Sequence, residues 1–261
     1  MLYRLPVSRQ AVRLQPPDGR DDLFLAESSG SGWALRVEVV KRLAPPEDGS
    51  ARWDLLPAPD VDAALLALRR WLRGDRLVAE IHCPQCRAKG DLTLSISEYL
   101  RAHAPSRSRG IECDDDSWFR LEGARFRVPT VAQLLESLSK NDGEEEAKRD
   151  LEEQCVLAES RPALRRARSF MERIAPLLCG EVEGECPECG SSVFAWLEPG
   201  EFVITEFRRH AGSIFEEVHL LANSYGWTEE VILGLSADRR SQYANMIVSC
   251  ASRPVRASAW V

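Results

Sequence analysis

Two Cys-Pro-x-Cys pairs constrain this chain more than any other feature: Cys83-Pro84-Gln85-Cys86 and Cys186-Pro187-Glu188-Cys189. Two residues between cysteines let one tight turn aim both sulfurs at a single point. Proline after the first cysteine fixes φ in that turn, and Gly190 after Cys189 allows a positive φ. One such pair says little. Two, with proline in the same place and short strand-like segments on either side, predict a tetrahedral metal site made of four cysteines. A redox pair normally sits between a strand and a helix N-terminus, which lowers the thiol pKa; here both pairs fall between strands. The expectation is one structural zinc ion held by Cys83, Cys86, Cys186 and Cys189, joining distant segments and leaving no open coordination position. Arg87 and Lys89 stand where they could offset the thiolate charge.

The sequence around the pairs is repetitive. Asp60–Arg73 has helical spacing at Val61, Leu65, Leu68 and Leu72, with Asp60 as the expected cap and Gly74 as the stop. Leu77–Ile81 and Leu92–Ile96 read as strands, and Ser97–His103 as a helix. The second pair repeats the order: a helix from Pro162 to Leu178, a stop at Gly180, a short strand, the cysteines, a strand at Val193–Leu197 and a helix at Gly200–Arg208. Helix, glycine, strand, Cys-Pro-x-Cys, strand, helix occurs twice, as an internal duplication of about 45 residues would give. The fold class expected is α+β, with duplicated zinc-ribbon-like β-knuckle-β units joined through a shared four-cysteine zinc site, helical flanks and a helical C-terminus.

The remaining segments fill in around these units. Residues 1–57 form an N-terminal strand and helix region, with a strand at Val12–Leu14, a helix at Asp21–Glu27 capped by Asp18 or Asp21, and a helix at Trp33–Leu43. The first unit spans 58–104. An insertion at 105–160 holds a hairpin at Trp118–Val128 with its turn at Glu122-Gly123, a helix capped by Thr130, and a helix at Glu144–Leu157. The second unit spans 161–211. The C-terminal region, 212–261, reads as a helix carrying Phe215, Val218 and Leu221, a short helix capped by Thr228, a last helix capped by Ser236, and a loose tail from Ser252.

Composition narrows the function classes. The chain has 261 residues, 44% of them hydrophobic, and a net charge of -7. Basic residues form no stripe, so a nucleic-acid role is disfavoured. No apolar run is long enough to span a membrane, and the N-terminus has no signal core, so the expected location is the cytoplasm. Eight cysteines in such a compartment are not a disulfide framework; Cys113, Cys155, Cys179 and Cys250 read as small buried hydrophobes. His82, His103, His210 and His219 form no metalloprotease pattern, and no nucleophile elbow or phosphate loop is present. Asp114-Asp115-Asp116 reads as a solvated acidic turn. The arginine pairs Arg165-Arg166, Arg208-Arg209 and Arg239-Arg240 read as helix-surface charges. An enzyme is not expected.

Three stretches then carry a family resemblance. They are Val12-Arg13-Leu14 through Pro17, Gly19 and Asp22–Glu27; Asp60 to Cys86; and the second knuckle followed by Glu217-Val218-His219-Leu220-Leu221-Ala222, Tyr225-Gly226-Trp227, Ile232–Leu235 and Arg239-Arg240 to Tyr243. Together they resemble the baseplate-hub assembly proteins of T-even-type contractile phage tails and related injection systems. Gly226 departs from the pattern, where a bulkier residue would be expected before the tryptophan. The resemblance implies a non-enzymatic component or chaperone of the hub, cytoplasmic during assembly and open to incorporation in the particle. Its partners would be hub or spike proteins, and Trp227, Ile232, Leu233 and Tyr243 are the candidate contact residues. Two rivals stand beside this reading. One is a zinc-ribbon module binding nucleic acid or a regulatory protein; the other, a metal-dependent hydrolase, would need an open metal position.

Overall fold

The computed structural model describes residues 1–30, 32–47, 49, 52–106, 112–114 and 117–251. In chain order the elements are β1 (Leu2–Arg4), β2 (Ala11–Arg13), α1 (Gly19–Glu27), α2 (Trp33–Leu43), α3 (Pro59–Arg73), β3 (Arg76–His82), β4 (Lys89–Ser95), α4 (Ile96–Ala102) and β5 (Glu112–Cys113). There follow β6 (Phe119–Leu121), β7 (Ala124–Phe126), α5 (Val131–Lys140), α6 (Glu144–Cys155), β8 (Val156–Ala158), α7 (Arg161–Ile174), β9 (Gly180–Glu185) and β10 (Ser192–Leu197). The chain then continues through α8 (Pro199–Ala211), α9 (Ile214–Tyr225), α10 (Glu229–Leu233) and α11 (Ala237–Ala251). This is an α+β chain with small antiparallel sheets. By its internal contacts the chain divides into two compact units: residues 1–15 with 30–203, and residues 16–29 with 204–261.

The first unit is built on α3. Its residues from Pro59 to Arg69 are all buried, charged ones included, so the helix is a central strut rather than an amphipathic surface element. Asp60 does not cap it. Pro59 occupies the first turn, where its missing N–H costs nothing. The Asp60 carboxylate instead accepts the amides of Val7 and Ser8, both at 2.9 Å, and so fixes the link between β1 and β2. The insertion forms a four-stranded antiparallel sheet in the order β5-β6-β7-β8. Ala124, Phe126 and Val156 of this sheet pack on Ala163 and Ala167 of α7.

Two segments expected to be helical are not. Val156 and Leu157, the expected end of the helix from Glu144, pair with β7 as part of β8. Helix α7 ends at Ile174, short of Leu178, because Pro176 disfavours helical backbone at the residue before it. Both Cys-Pro-x-Cys segments lie at the tips of two-stranded hairpins. Hairpin β3–β4 pairs Arg76 with Ser95 through His82 with Lys89, and hairpin β9–β10 pairs Gly180 with Leu197 through Glu185 with Ser192. Each hairpin leads into a helix, α4 or α8.

The second unit gathers α1 with α9, α10 and α11. Asp18 caps α1 and Asp21 completes a reciprocal capping box. Arg240, read from the sequence as a surface charge, is 2% exposed. Its guanidinium meets Asp22 of α1, Glu217 of α9 (2.9 Å) and the Leu235 carbonyl (2.6 Å). Thr228 precedes α10 without a side-chain capping bond. The tail from Ser252 lies outside the described residues.

Candidate metal centre

The two knuckles fold identically. In the first, the Cys83 amide donates to the Ala88 carbonyl and the Arg87 amide to the Cys83 carbonyl, both at 2.9 Å. In the second, Cys186 donates to Ser191 and Gly190 to Cys186, again at 2.9 Å. The residue after the second cysteine is left-handed in both, with φ 62° at Arg87 and 71° at Gly190. Glycine takes that conformation freely; arginine does so at a cost of roughly 1–2 kcal/mol.

These turns bring the four sulfurs together. Cys83 Sγ lies 3.7 Å from Cys189 Sγ, and Cys86 Sγ lies 3.7 Å from Cys186 Sγ. All four fall within 4.8 Å of one another, an arrangement able to hold a metal ion. The pairing is crossed: the first cysteine of each knuckle meets the second of the other. Cys83 and Cys186 are buried beside Val193 and Ile81, while Cys86 and Cys189 face solvent.

The thiols differ in acidity. The Ser191 side chain and backbone, then Cys86, hold the Cys189 thiol down to about 6. Cys86 is drawn down by the backbone at Ala88, but its neighbour Cys189, burial and the other two thiols outweigh this and push it up to about 12. Four thiols this close cannot all ionise alone, since each thiolate repels the next. A bound cation removes that obstacle and displaces the protons.

The other residues singled out in the sequence fall elsewhere. His82 is exposed at the end of β3 and is not among the clustered ligand atoms. Lys89 is committed to Glu80 at 3.0 Å, and Arg87 is exposed. Of the isolated cysteines, Cys155 is buried, but Cys113 is exposed and Cys179 only half-buried, contrary to the expectation for those two; the Cys250 side chain lies outside the described residues. Asp114 is no free acidic turn: it accepts the Trp118 amide and pairs with Arg125 at 3.2 Å. Asp115 and Asp116 lie outside the described residues.

Among the candidate contact residues, Trp227 stacks on Tyr225 and Tyr243 meets both rings edge-on, the ring centroids 4.9 to 5.9 Å apart. Trp227 and Tyr243 are half-buried. Ile232 and Leu233 are buried, at 0% and 7% exposure, and fill the interior instead of offering surface. Tyr225, not among the expected contact residues, is the most exposed of the aromatic trio at 42%.

A second polar cluster also escaped the sequence reading. Arg36, 2% exposed, reaches Glu198 at 2.5 Å, Asp62 at 3.5 Å and Glu201 at 3.5 Å. Its only sequence signal was a charge on the apolar face of α2.

Comparison with protein-family models, curated proteins and solved structures found no match. Among the described residues, no helix is long and apolar enough to cross a membrane.

Proposed function

We propose that the chain is a non-enzymatic, zinc-stapled assembly protein whose two hairpins are copies of one zinc-ribbon-like unit. The crossed sulfur cluster carries this reading. Zinc at about 2.3 Å from four tetrahedral thiolates requires sulfur–sulfur edges of about 3.8 Å; two edges are 3.7 Å and none exceeds 4.8 Å. Soft thiolates select zinc over hard cations. Four protein ligands leave no position for a substrate, which argues for a structural ion and against a hydrolase. The identical turns, the shared left-handed residue and the reciprocal sulfur contacts support duplication.

More specifically, we propose that it serves the baseplate hub of a phage-type contractile tail or injection system, as component or chaperone. The residue pattern from His219 to Tyr243 is the basis for that choice. Trp227 and Tyr243, with Tyr225, are the contact residues we retain for hub or spike proteins, since clustered aromatics anchor interfaces.

Co-expression with the hub and spike proteins of a contractile tail tests the reading. The chain should co-purify with one of them, and a Trp227→Ala, Tyr243→Ala variant should not. Salt-sensitive binding to DNA or RNA in place of that capture would favour the nucleic-acid module.

A further inference from the structure

The two hairpins share a backbone plan but not an outer face. On β3–β4 the exposed side chains are mixed and paired, with Lys89 bound to Glu80. On β9–β10 the alternation places Val193 and Leu197 inside, and Phe194 and Trp196 outside at 56% and 70% exposure. Directly across the ladder stand Glu183 opposite Phe194 and Glu181 opposite Trp196, both exposed. Neither carboxylate has an ion-pair partner among the described residues. The face therefore combines two bare aromatic rings with unneutralised negative charge, on a strand pair whose other side is buried or half-buried.

The ladder phase adds a second property. The Cys186 amide bonds to the Ser191 carbonyl, and hydrogen-bonded pairs alternate along an antiparallel ladder. Phe194 with Glu183 and Trp196 with Glu181 thus fall at non-hydrogen-bonded pairs, where opposed side chains come closest. Each ring has a carboxylate as its nearest cross-strand neighbour. The backbone N–H and C=O groups of Phe194 and Trp196 consequently point away from β9. No backbone hydrogen bond among the described residues uses them.

We propose that this face of β9–β10 docks an extended segment of a partner protein that carries arginine or lysine at alternate positions. Such a segment adds to the open edge of β10 by main-chain hydrogen bonds. Alternate side chains of a strand share one face and repeat every two residues, the same interval as Phe194 to Trp196. Each cation then lies over a ring, where cation–π attraction acts, and faces Glu183 or Glu181. Acidic segments and nucleic-acid phosphates are repelled by the same carboxylates. The proposal does not depend on the hub reading.

The test uses the metal-loaded full chain and a short fluorescein-labelled peptide with two arginines at alternate positions in a threonine-valine background, titrated by fluorescence anisotropy. Saturable binding is expected. It should weaken at least about threefold in Trp196→Ser and again in the Glu181→Gln, Glu183→Gln variant, and weaken with added salt. Val78→Ser on the outer face of the first hairpin should leave it unchanged. All these positions are exposed, and circular dichroism with metal content checks that the variants fold. The proposal is overturned by no binding, by equal affinity for the glutamate counterpart of the peptide, or by indifference to Trp196→Ser. It is also overturned if sedimentation shows a dimer that Trp196→Ser abolishes, because the face would then belong to a second copy of the chain.

Discussion

At the scale of single residues, backbone strain and burial make distinct demands. Arg87 holds the left-handed position that Gly190 holds in the other knuckle. Arg87→Gly should therefore stabilise the metal-loaded protein by about 1 kcal/mol in urea unfolding, and Gly190→Ala should destabilise it by a similar amount. Asp62 presents a different problem. It is buried, its carboxylate 3.5 Å from Arg36, and a Cβ on Gly200 would lie 2.1 Å from its Oδ1. Burial pushes its carboxyl up to about 6, Arg36 drawing it down less and Glu198 raising it further. A raised carboxylate means that the folded chain keeps a proton the unfolded chain has released. Stability should thus fall as pH rises from about 4 to about 6, by about 3 kcal/mol, and then level off. Urea unfolding across that range should show the fall in the wild type and its loss in Asp62→Asn; parallel curves for the two proteins would refute the assignment. The sulfur ligands were legible in the sequence because cysteine spacing is itself chemistry. Arg36, Asp62 and Arg240 were not, since a charge within a helical pattern reads as solvated until its partners, far along the chain, are in view.

At the scale of elements, the two hairpins gain their meaning from each other. A two-stranded hairpin is marginal alone in water, and here each supplies half of a four-sulfur cluster. Cys83→Ser and Cys186→Ser should each lose the whole of one zinc per chain, measured by elemental analysis. Retention of half of a two-metal content would mean separate sites. Chelation should raise amide exchange in β3, β4, β9 and β10 together, because structural zinc contributes on the order of 10 kcal/mol to folding. The hairpins and helices were visible as periods of two and 3.6, while their ends were less so. The stop of α7 was written at Pro176, but the apolar Leu177-Leu178 continued the helical pattern past it. The strand Val156–Ala158 had no local mark beyond a β-branched first residue; it forms because β7 offers an edge for Val156 to meet Phe126. Pairing with a remote edge overrides local propensity.

At the scale of the whole molecule, the chain order conceals which segments belong together. Residues 16–29 join the C-terminal helices rather than their sequence neighbours. Helix α1 was plain in the sequence but its destination was not, because the link is a buried ion pair between residues 218 positions apart. Arg240 meets one carboxylate on α1 and another on α9 from its own place on α11, so a single side chain ties three helices. Removing it leaves Asp22 and Glu217 buried without their cation, and breaking such a pair costs about 3–5 kcal/mol. Arg240→Ala should therefore destabilise the protein by that amount and speed amide exchange in α1, α9 and α11 together. Arg239→Ala, at the exposed neighbouring position, should stay within about 0.5 kcal/mol of the wild type. If the two variants were equally stable, the guanidinium would not be what holds α1 to the C-terminal helices, and the burial of apolar residues such as Leu25, Leu221 and Ile232 would have to suffice.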